Sequence, residues 1–189
     1  MAKVTKGPQT WIAPMPALLI GADVKGKPNF MTVAWAGIAN GEPPMISLAI
    51  RPARHTLVGI REHSQFSVNV PSDTQAREVD FCGVKSGATV NKVERCKFKV
   101  FRGLLEHAPL VEECPINLEC TVRQILDLDS HCLVVGEIVQ THVTDTCLDA
   151  KGSIDFAAVK PVVFLDNPTG AYYGLGGMMA KAFKAGLEL

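Results

Sequence analysis

The stretch Phe66-Ser67-Val68-Asn69-Val70, stopped by Pro71, alternates apolar and polar residues at the two-residue period of a half-buried β-strand. The same signal recurs on either side of it. Upstream, Pro44-Met45-Ile46-Ser47-Leu48-Ala49-Ile50 is a short apolar run bounded by Pro44 and Pro52. Downstream, Phe98-Lys99-Val100-Phe101 alternates, and Leu118-Glu119-Cys120-Thr121-Val122-Arg123 sets Leu118, Cys120 and Val122 on one face with polar groups on the other. His131 to Val143 reads as a long strand with a bulge or bend at Gly136. Lys160-Pro161-Val162-Val163-Phe164-Leu165 closes the set before the turn-like Asp166-Asn167-Pro168-Thr169-Gly170.

Helical signals are fewer. Thr56 to His63 predicts a short helix with Thr56 as its N-cap, and Ser72 to Val79 begins with a good capping residue after Pro71. In the tail from Gly177 to Leu189, Met178, Met179, Ala182, Phe183 and Leu187 recur at roughly helical spacing, a pattern of packing residues. Several half-buried strands with few helices between them predict a mainly β chain folded as an antiparallel barrel. No repeat, low-complexity segment or linker interrupts it, so residues 1–189 read as one domain.

Bulk chemistry narrows the function classes. Nineteen basic side chains match nineteen acidic ones, which removes the basic footprint expected of a nucleic-acid or anionic-membrane binder. With 47% apolar residues the chain can bury a core without disulfides. The longest apolar run, Met31 to Ala39, is broken by Thr32 and Gly37 and is too short to cross a bilayer, and the first residues lack the apolar stretch of a signal peptide. The expectation is a soluble cytoplasmic protein.

Cys82, Cys96, Cys114, Cys120, Cys132 and Cys147 form no C-x-x-C pair and have no histidine at zinc-finger spacing. They read as reduced thiols serving as small apolar residues. A redox pair such as Cys114 and Cys120 would require the fold to bring the two together. The chain also lacks G-x-G-x-x-G after a strand, a phosphate loop, H-E-x-x-H and G-x-S-x-G. No metal ligand set and no catalytic nucleophile are therefore assigned.

Two neighbouring segments carry the positive signal: Asn29-Phe30-Met31-Thr32-Val33-Ala34-Trp35-Ala36-Gly37, and Ile46-Ser47-Leu48-Ala49-Ile50-Arg51-Pro52-Ala53-Arg54-His55-Thr56. In the second, a strand ends, two arginines and a histidine follow, and a helix begins. A helix N-terminus presents free N–H groups at the positive end of the helix dipole. Thr56 adds a hydroxyl, and Arg51 or Arg54 adds charge-assisted hydrogen bonds, a set suited to one phosphate monoester. An exposed basic turn with an ordinary cap is the alternative reading of the same residues. Trp35 serves either as core or as a wall for a flat aromatic ligand.

The ordered set Pro14-Met15-Pro16-Ala17-Leu18-Leu19-Ile20, Asn29-x-Met31-Thr32-x-Ala34-Trp35, Pro44-x-Ile46-x-Leu48-Ala49-Ile50, Thr56 with Ile60, and Phe66-x-Val68-Asn69 resembles the flavin reductase-like family, and within it the flavoredoxins. The resemblance spans nearly the whole chain and is looser after Gly83. It implies a split β-barrel that binds FMN, as a homodimer with the flavin near the subunit interface. It implies flavin contacts at Asn29, Thr32 and Trp35, a strand end beside ring and phosphate at Ala49 and Arg51, and a phosphate hydroxyl at Thr56. Beyond Cys82-Gly83-x-x-Ser86-Gly87 it implies cofactor contacts at Lys92, His131 and Phe164. Lys92 or His131 would then balance negative charge on reduced flavin near N1 and O2. Their alternatives are a solvated lysine, a strand terminus and a core phenylalanine.

The function so implied is an electron carrier of flavoredoxin type. An NAD(P)H-dependent flavin reductase is the nearest alternative, and a non-redox ligand-binding barrel a more distant one. The electron donor is left open between NAD(P)H and a protein such as ferredoxin.

Overall fold

The computed structural model describes residues 1–166 and 170–187. After an exposed N-terminal arm come β1 (Met15–Pro16), β2 (Leu18–Val24), β3 (Lys27–Val33), β4 (Ala36–Gly41) and β5 (Pro44–Ile50), then α1 (His55–His63) and β6 (Gln65–Val70). Next are α2 (Ala76–Val84), α3 (Lys92–Cys96), and the short β7 (Val100–Phe101) and β8 (Leu110–Val111). The long β9 (Ile116–Leu128) and β10 (His131–Val143) are followed by α4 (Phe156–Val159), β11 (Val163–Leu165) and β12 (Ala171–Tyr173).

Seven strands form one antiparallel sheet in the order β3-β2-β6-β9-β10-β5-β4. Its outer strands, β3 and β4, are consecutive in the chain and joined by Ala34-Trp35, so the sheet rolls on itself without closing. One face of the roll collects Leu18, Ile20, Met31, Leu48, Phe66 and Val134 into the main core, and Leu57 and Ile60 of α1 plug it. The rolled, unclosed sheet is the split barrel expected from the sequence. The bulge also falls where the glycine predicted it: the β9–β10 register shifts between Val135 and Gly136. A Cβ on Gly136 would stand 2.4 Å from the Phe66 ring, so the glycine also makes room for a core side chain.

The opposite face of β2 and β3 is buried too. Leu19 and Phe30 pack there against Val79, Cys82, Phe98 and Val111, supplied by α2 and the segment after α3. That second cover explains why β2 is buried along its whole length. It also corrects the expected polar face of β9, because Asn117 and Glu119 are buried under the segment leading to β8. Glu119 accepts the Leu104 and Leu105 N–H groups (2.9 and 2.6 Å) and meets His142 Nε2 at 2.7 Å, which satisfies a carboxylate that burial alone would expel.

Other expectations shift at their edges. Strand pairing is shorter than Phe98–Phe101 suggested, and a further strand, β12, pairs with β11. The predicted turn's Asn167-Pro168-Thr169 lies outside the described residues. Ser72 opens a short 3₁₀ turn ahead of α2, with its N–H donating to Gln75 Oε1 at 3.0 Å. The helix expected in the tail is absent from its described part: residues 182–187 form turns, with Met179 101% and Phe183 99% exposed. Helical spacing without a partner surface does not stabilise a helix this short in water.

Candidate functional site

The site forms where the roll is split. Ala49 N donates to Trp35 O at 2.9 Å, which pins the β3–β4 joint against the end of β5. The Trp35 indole, 37% exposed, stacks on the His131 imidazole at the start of β10 with centroids 4.8 Å apart and planes inclined 25°. His131 Nδ1 lies 3.0 Å from Ser130 Oγ. Opposite them, Phe164 of β11 and Tyr172 of β12 are tilted against each other at 5.4 Å. These residues, with Thr32, Ala49, Arg51 and Arg54, line a cavity of about 310 Å³. Thr32 Oγ1 donates to the Val79 carbonyl, tying α2 to the cavity floor.

Past Arg51, Arg54 and Gly83 the cavity continues into a second compartment of about 370 Å³, which includes Thr56, Ser86 and Lys92 in its wall. Here the structure corrects the expected cap: α1 begins at His55, its N-cap is Arg54 in extended conformation, and Thr56 sits inside the first turn. Arg54 makes no side-chain cap bond, and Leu57 N donates to Arg54 O at 3.0 Å, so the His55 and Thr56 N–H groups are the ones that keep their capacity for an anion. The Arg54 side chain instead donates through Nη1 to Gly83 O at 2.6 Å, bracing the last turn of α2. Fully buried Thr56 accepts from Asn29 Nδ2 at 2.7 Å through Oγ1, which leaves its own O–H proton to donate.

Lys92 is buried, and its Nζ donates to Phe30 O and Cys82 O, both at 2.8 Å. A third ammonium donor remains. Burial, the larger effect, and the nearby Arg54 charge push its pKa below the usual lysine value. The structure puts Lys92 in the compartment with Thr56 and not in the one with Trp35, so it stands at the Thr56 end of the trough and away from the Trp35–His131 pair.

Of the residues singled out in the sequence, Thr32, Trp35, Ala49, Arg51, His131 and Phe164 share the first cavity, while Arg51, Thr56 and Lys92 share the second. Asn29 lies behind the second compartment as the partner of Thr56. A Cβ on Gly87 would meet Asn29 Oδ1 at 1.9 Å, so the glycine lets the 85–91 loop close over that pair without displacing the Asn29 side chain. Sequence reasoning missed Tyr172, whose approach depends on the β11–β12 pairing, and the bracing role of Arg54. All six cysteines are free thiols. The fold separates Cys114, packed with Cys82 outside β2 and β3, from Cys120 in the core of the roll.

A trough with an aromatic slot at one end and an anion compartment at the other suits a flat, phosphorylated ligand. Residues 12–166 match the flavin reductase like domain, and the chain belongs to that family. Two solved structures are similar over essentially their whole length. The flavoredoxin from Methanosarcina acetivorans is 34% identical with a TM-score of 0.94, covering 100% of this chain and 99% of that one. The flavoredoxin of Desulfovibrio vulgaris (Miyazaki F) is 33% identical with a TM-score of 0.91, covering 98% and 100%. An uncharacterized protein of Archaeoglobus fulgidus is 32% identical over 159 residues, 84% of this chain and 89% of its own.

Proposed function

We propose that this chain is an electron-transfer flavoprotein of flavoredoxin type that holds one FMN without a covalent bond. The carrying observation is the continuity between the Trp35–His131 slot and the Thr56 compartment across Arg51, Arg54 and Gly83. The donor set suits a phosphate monoester: a hydroxyl with a free proton, the His55 and Thr56 N–H groups, and two guanidinium groups outside any ion pair among the described residues.

Bound FMN supplies the redox chemistry; the protein orients the flavin and tunes its surroundings. Trp35, His131, Phe164 and Tyr172 bracket a planar ring, Thr56 and Arg51 hold the phosphate, and Lys92 adds positive charge beside it. Asn29 orients the Thr56 hydroxyl. No side chain is assigned as general acid or nucleophile.

The half-exposed Trp35 leaves one side of the slot open to an electron donor, which is either NAD(P)H, as in a flavin reductase, or a reduced carrier such as ferredoxin. An unpaired edge supports a homodimer: β4, at the edge of the seven-stranded sheet, carries Ile38, 73% exposed. We read residues 1–189 as one domain working in the cytoplasm, and no helix among the described residues is long and apolar enough to cross a membrane.

Anaerobic mixing of the FMN-loaded protein with NADH, NADPH or reduced ferredoxin tests the function. Bleaching of the flavin bands by the ferredoxin, with slow or no bleaching by nicotinamides, is the expected result. Rapid bleaching by a nicotinamide, followed by reduction of added free flavin, would favour the reductase. No bleaching by any donor would remove the redox reading.

A further inference from the structure

Three of the cysteines, Cys82, Cys96 and Cys114, gather under the second cover, outside β2 and β3. Cys114 is 1% exposed, and its sulfur accepts from Gln75 Nε2 at 3.6 Å. Cys82 and Cys96 face each other instead. Their thiols share a hydrogen bond that favours the ionised form of Cys96 and the protonated form of Cys82. Their exposure is unequal as well: Cys82 is fully buried, and Cys96, the last residue of α3, is half-buried.

The helix α3 meets residue 82 twice. Lys92 and Cys96 stand four positions apart, on one face of this short helix. Lys92 Nζ donates to the Cys82 carbonyl at 2.8 Å, while the Cys96 sulfur meets the Cys82 sulfur. Burial, the larger effect, pushes both thiols above the ordinary thiol pKa, and the Lys92 charge opposes it at both. Neither cysteine lines the Trp35 slot or the Thr56 compartment, so the flavin reading makes no use of the pair.

We propose that Cys82 and Cys96 are a redox-active dithiol that closes to a reversible disulfide, clamping α3 to α2 behind the Thr56 compartment. The oxidant is a low-molecular-weight disulfide of the glutathione class. The Cys96 thiolate, the more accessible of the two, attacks one sulfur of that disulfide and expels the other as a thiolate. Cys82, once deprotonated, attacks the Cys96 sulfur of the mixed species and expels the second thiolate. Two protein thiols are oxidised, one external disulfide is reduced to two thiols, and both protons end on the leaving groups. Closure brings the sulfurs from hydrogen-bond contact to about 2.05 Å, a short movement for the five-residue α3.

Lys92, at the other end of that helix, lines the Thr56 compartment. The clamp therefore fixes part of the wall assigned to the phosphate, a consequence that rests on the flavin reading above. Less ordering is then left for FMN to impose, and its release slows.

The test incubates the wild-type chain with oxidised glutathione, digests it without reductant and maps the peptides by mass spectrometry. The expected result is a linked pair carrying Cys82 and Cys96 that dithiothreitol separates. Closure should raise the thermal midpoint by about 5 °C, because the cross-link restricts the unfolded chain. Cys96→Ser, at a half-buried position, should show no such rise, and Cys82→Ser should stop at the mixed species with one glutathione on Cys96. No bond, a bond mapped elsewhere, or glutathione left on wild-type Cys96 without closure would overturn the proposal.

A second arm times FMN release from the oxidised and reduced forms, with a slowing of about twofold or more expected on oxidation. Equal rates would overturn the clamp on the Thr56 compartment. Failure of both forms to bind FMN, with the disulfide mapped as expected, would strike the flavin reading itself, which keeps the two failures distinct.

Discussion

The Trp35 indole lies face to face with the His131 imidazole, centroids 4.8 Å apart and planes inclined 25°. One ring comes from the joint between the two outer strands of the rolled sheet; the other opens β10, whose Leu133 pairs with Ala49. A pair held this way from two elements forms a ready platform for a third flat ring. Replacing Trp35 with alanine is expected to weaken FMN and riboflavin alike, by about 1 kcal/mol or roughly fivefold, and to shift the bound-flavin spectrum. Titration of both ligands by fluorescence quenching checks this, and an unchanged affinity and spectrum would assign Trp35 to packing alone.

In the proposed site Thr56 distinguishes the phosphate from the ring. Thr56→Val removes the hydroxyl that accepts from Asn29 and is assigned to donate to the phosphate. FMN affinity should fall at least about tenfold while riboflavin, which has no phosphate, falls little. The same change leaves buried Asn29 without its partner, so the fold loses about 1–3 kcal/mol. Thr56→Ser, which keeps the hydroxyl, should restore the preference for FMN. Equal loss of both ligands in the valine variant would refute the assignment.

Gly59 sets the seat of α1. A Cβ there would lie 1.9 Å from the Asp23 carbonyl oxygen, a backbone atom that cannot step aside. Gly59→Ala should therefore push α1 off β2 at a cost of about 1–3 kcal/mol, seen as a lower midpoint in thermal unfolding. Because the proposed phosphate site lies at the start of α1, the preference for FMN over riboflavin should shrink as well. Unaltered stability would contradict the packing described here.

Glu119 gives the acid response its sign. Burial raises its pKa, but the His142 bond and the Leu104 and Leu105 N–H groups outweigh that and hold it below its ordinary 4.5. A carboxyl with a lowered folded-state pKa contributes stability that is complete above its unfolded value and is lost as pH falls through the folded one. The wild type should accordingly lose stability steeply below about pH 4.5. Glu119→Gln should be less stable at neutral pH and show a shallower acid limb in denaturant midpoints measured against pH. Parallel acid limbs would show that Glu119 is not responsible.

The sequence announced the elements whose signals are local. The strand at Phe66–Val70, the Gly136 bulge and the strand-turn-helix passage after Ile46 appear where expected, because side-chain periodicity and turn chemistry act over a few residues. Yet β6 is buried on both faces, Ser67 and Asn69 included, and α1 starts at His55 with Arg54 as its cap. The resemblance gathered Thr32, Trp35, Ala49, Arg51, His131 and Phe164, and the fold brings them to one cavity. What stayed hidden depends on long-range placement. No sequence signal singled out Lys25 and Lys27, which share a cavity with His55. Tyr172 reaches the slot only through β11. Glu119 looked like a solvent-facing strand residue because nothing in β9 tells of the segment that covers it. The described part of the tail shows the converse, an apolar spacing whose Met178, Met179, Phe183 and Leu187 stand exposed.

The visible spectrum of the purified chain, taken after FMN is added and the excess removed, tests the central claim most directly. Retained flavin bands corresponding to about one FMN per chain, with riboflavin retained far less, are the result the site geometry predicts. A colourless protein after the same treatment would contradict it, because the slot and the anion compartment would then be features of packing and not of flavin binding.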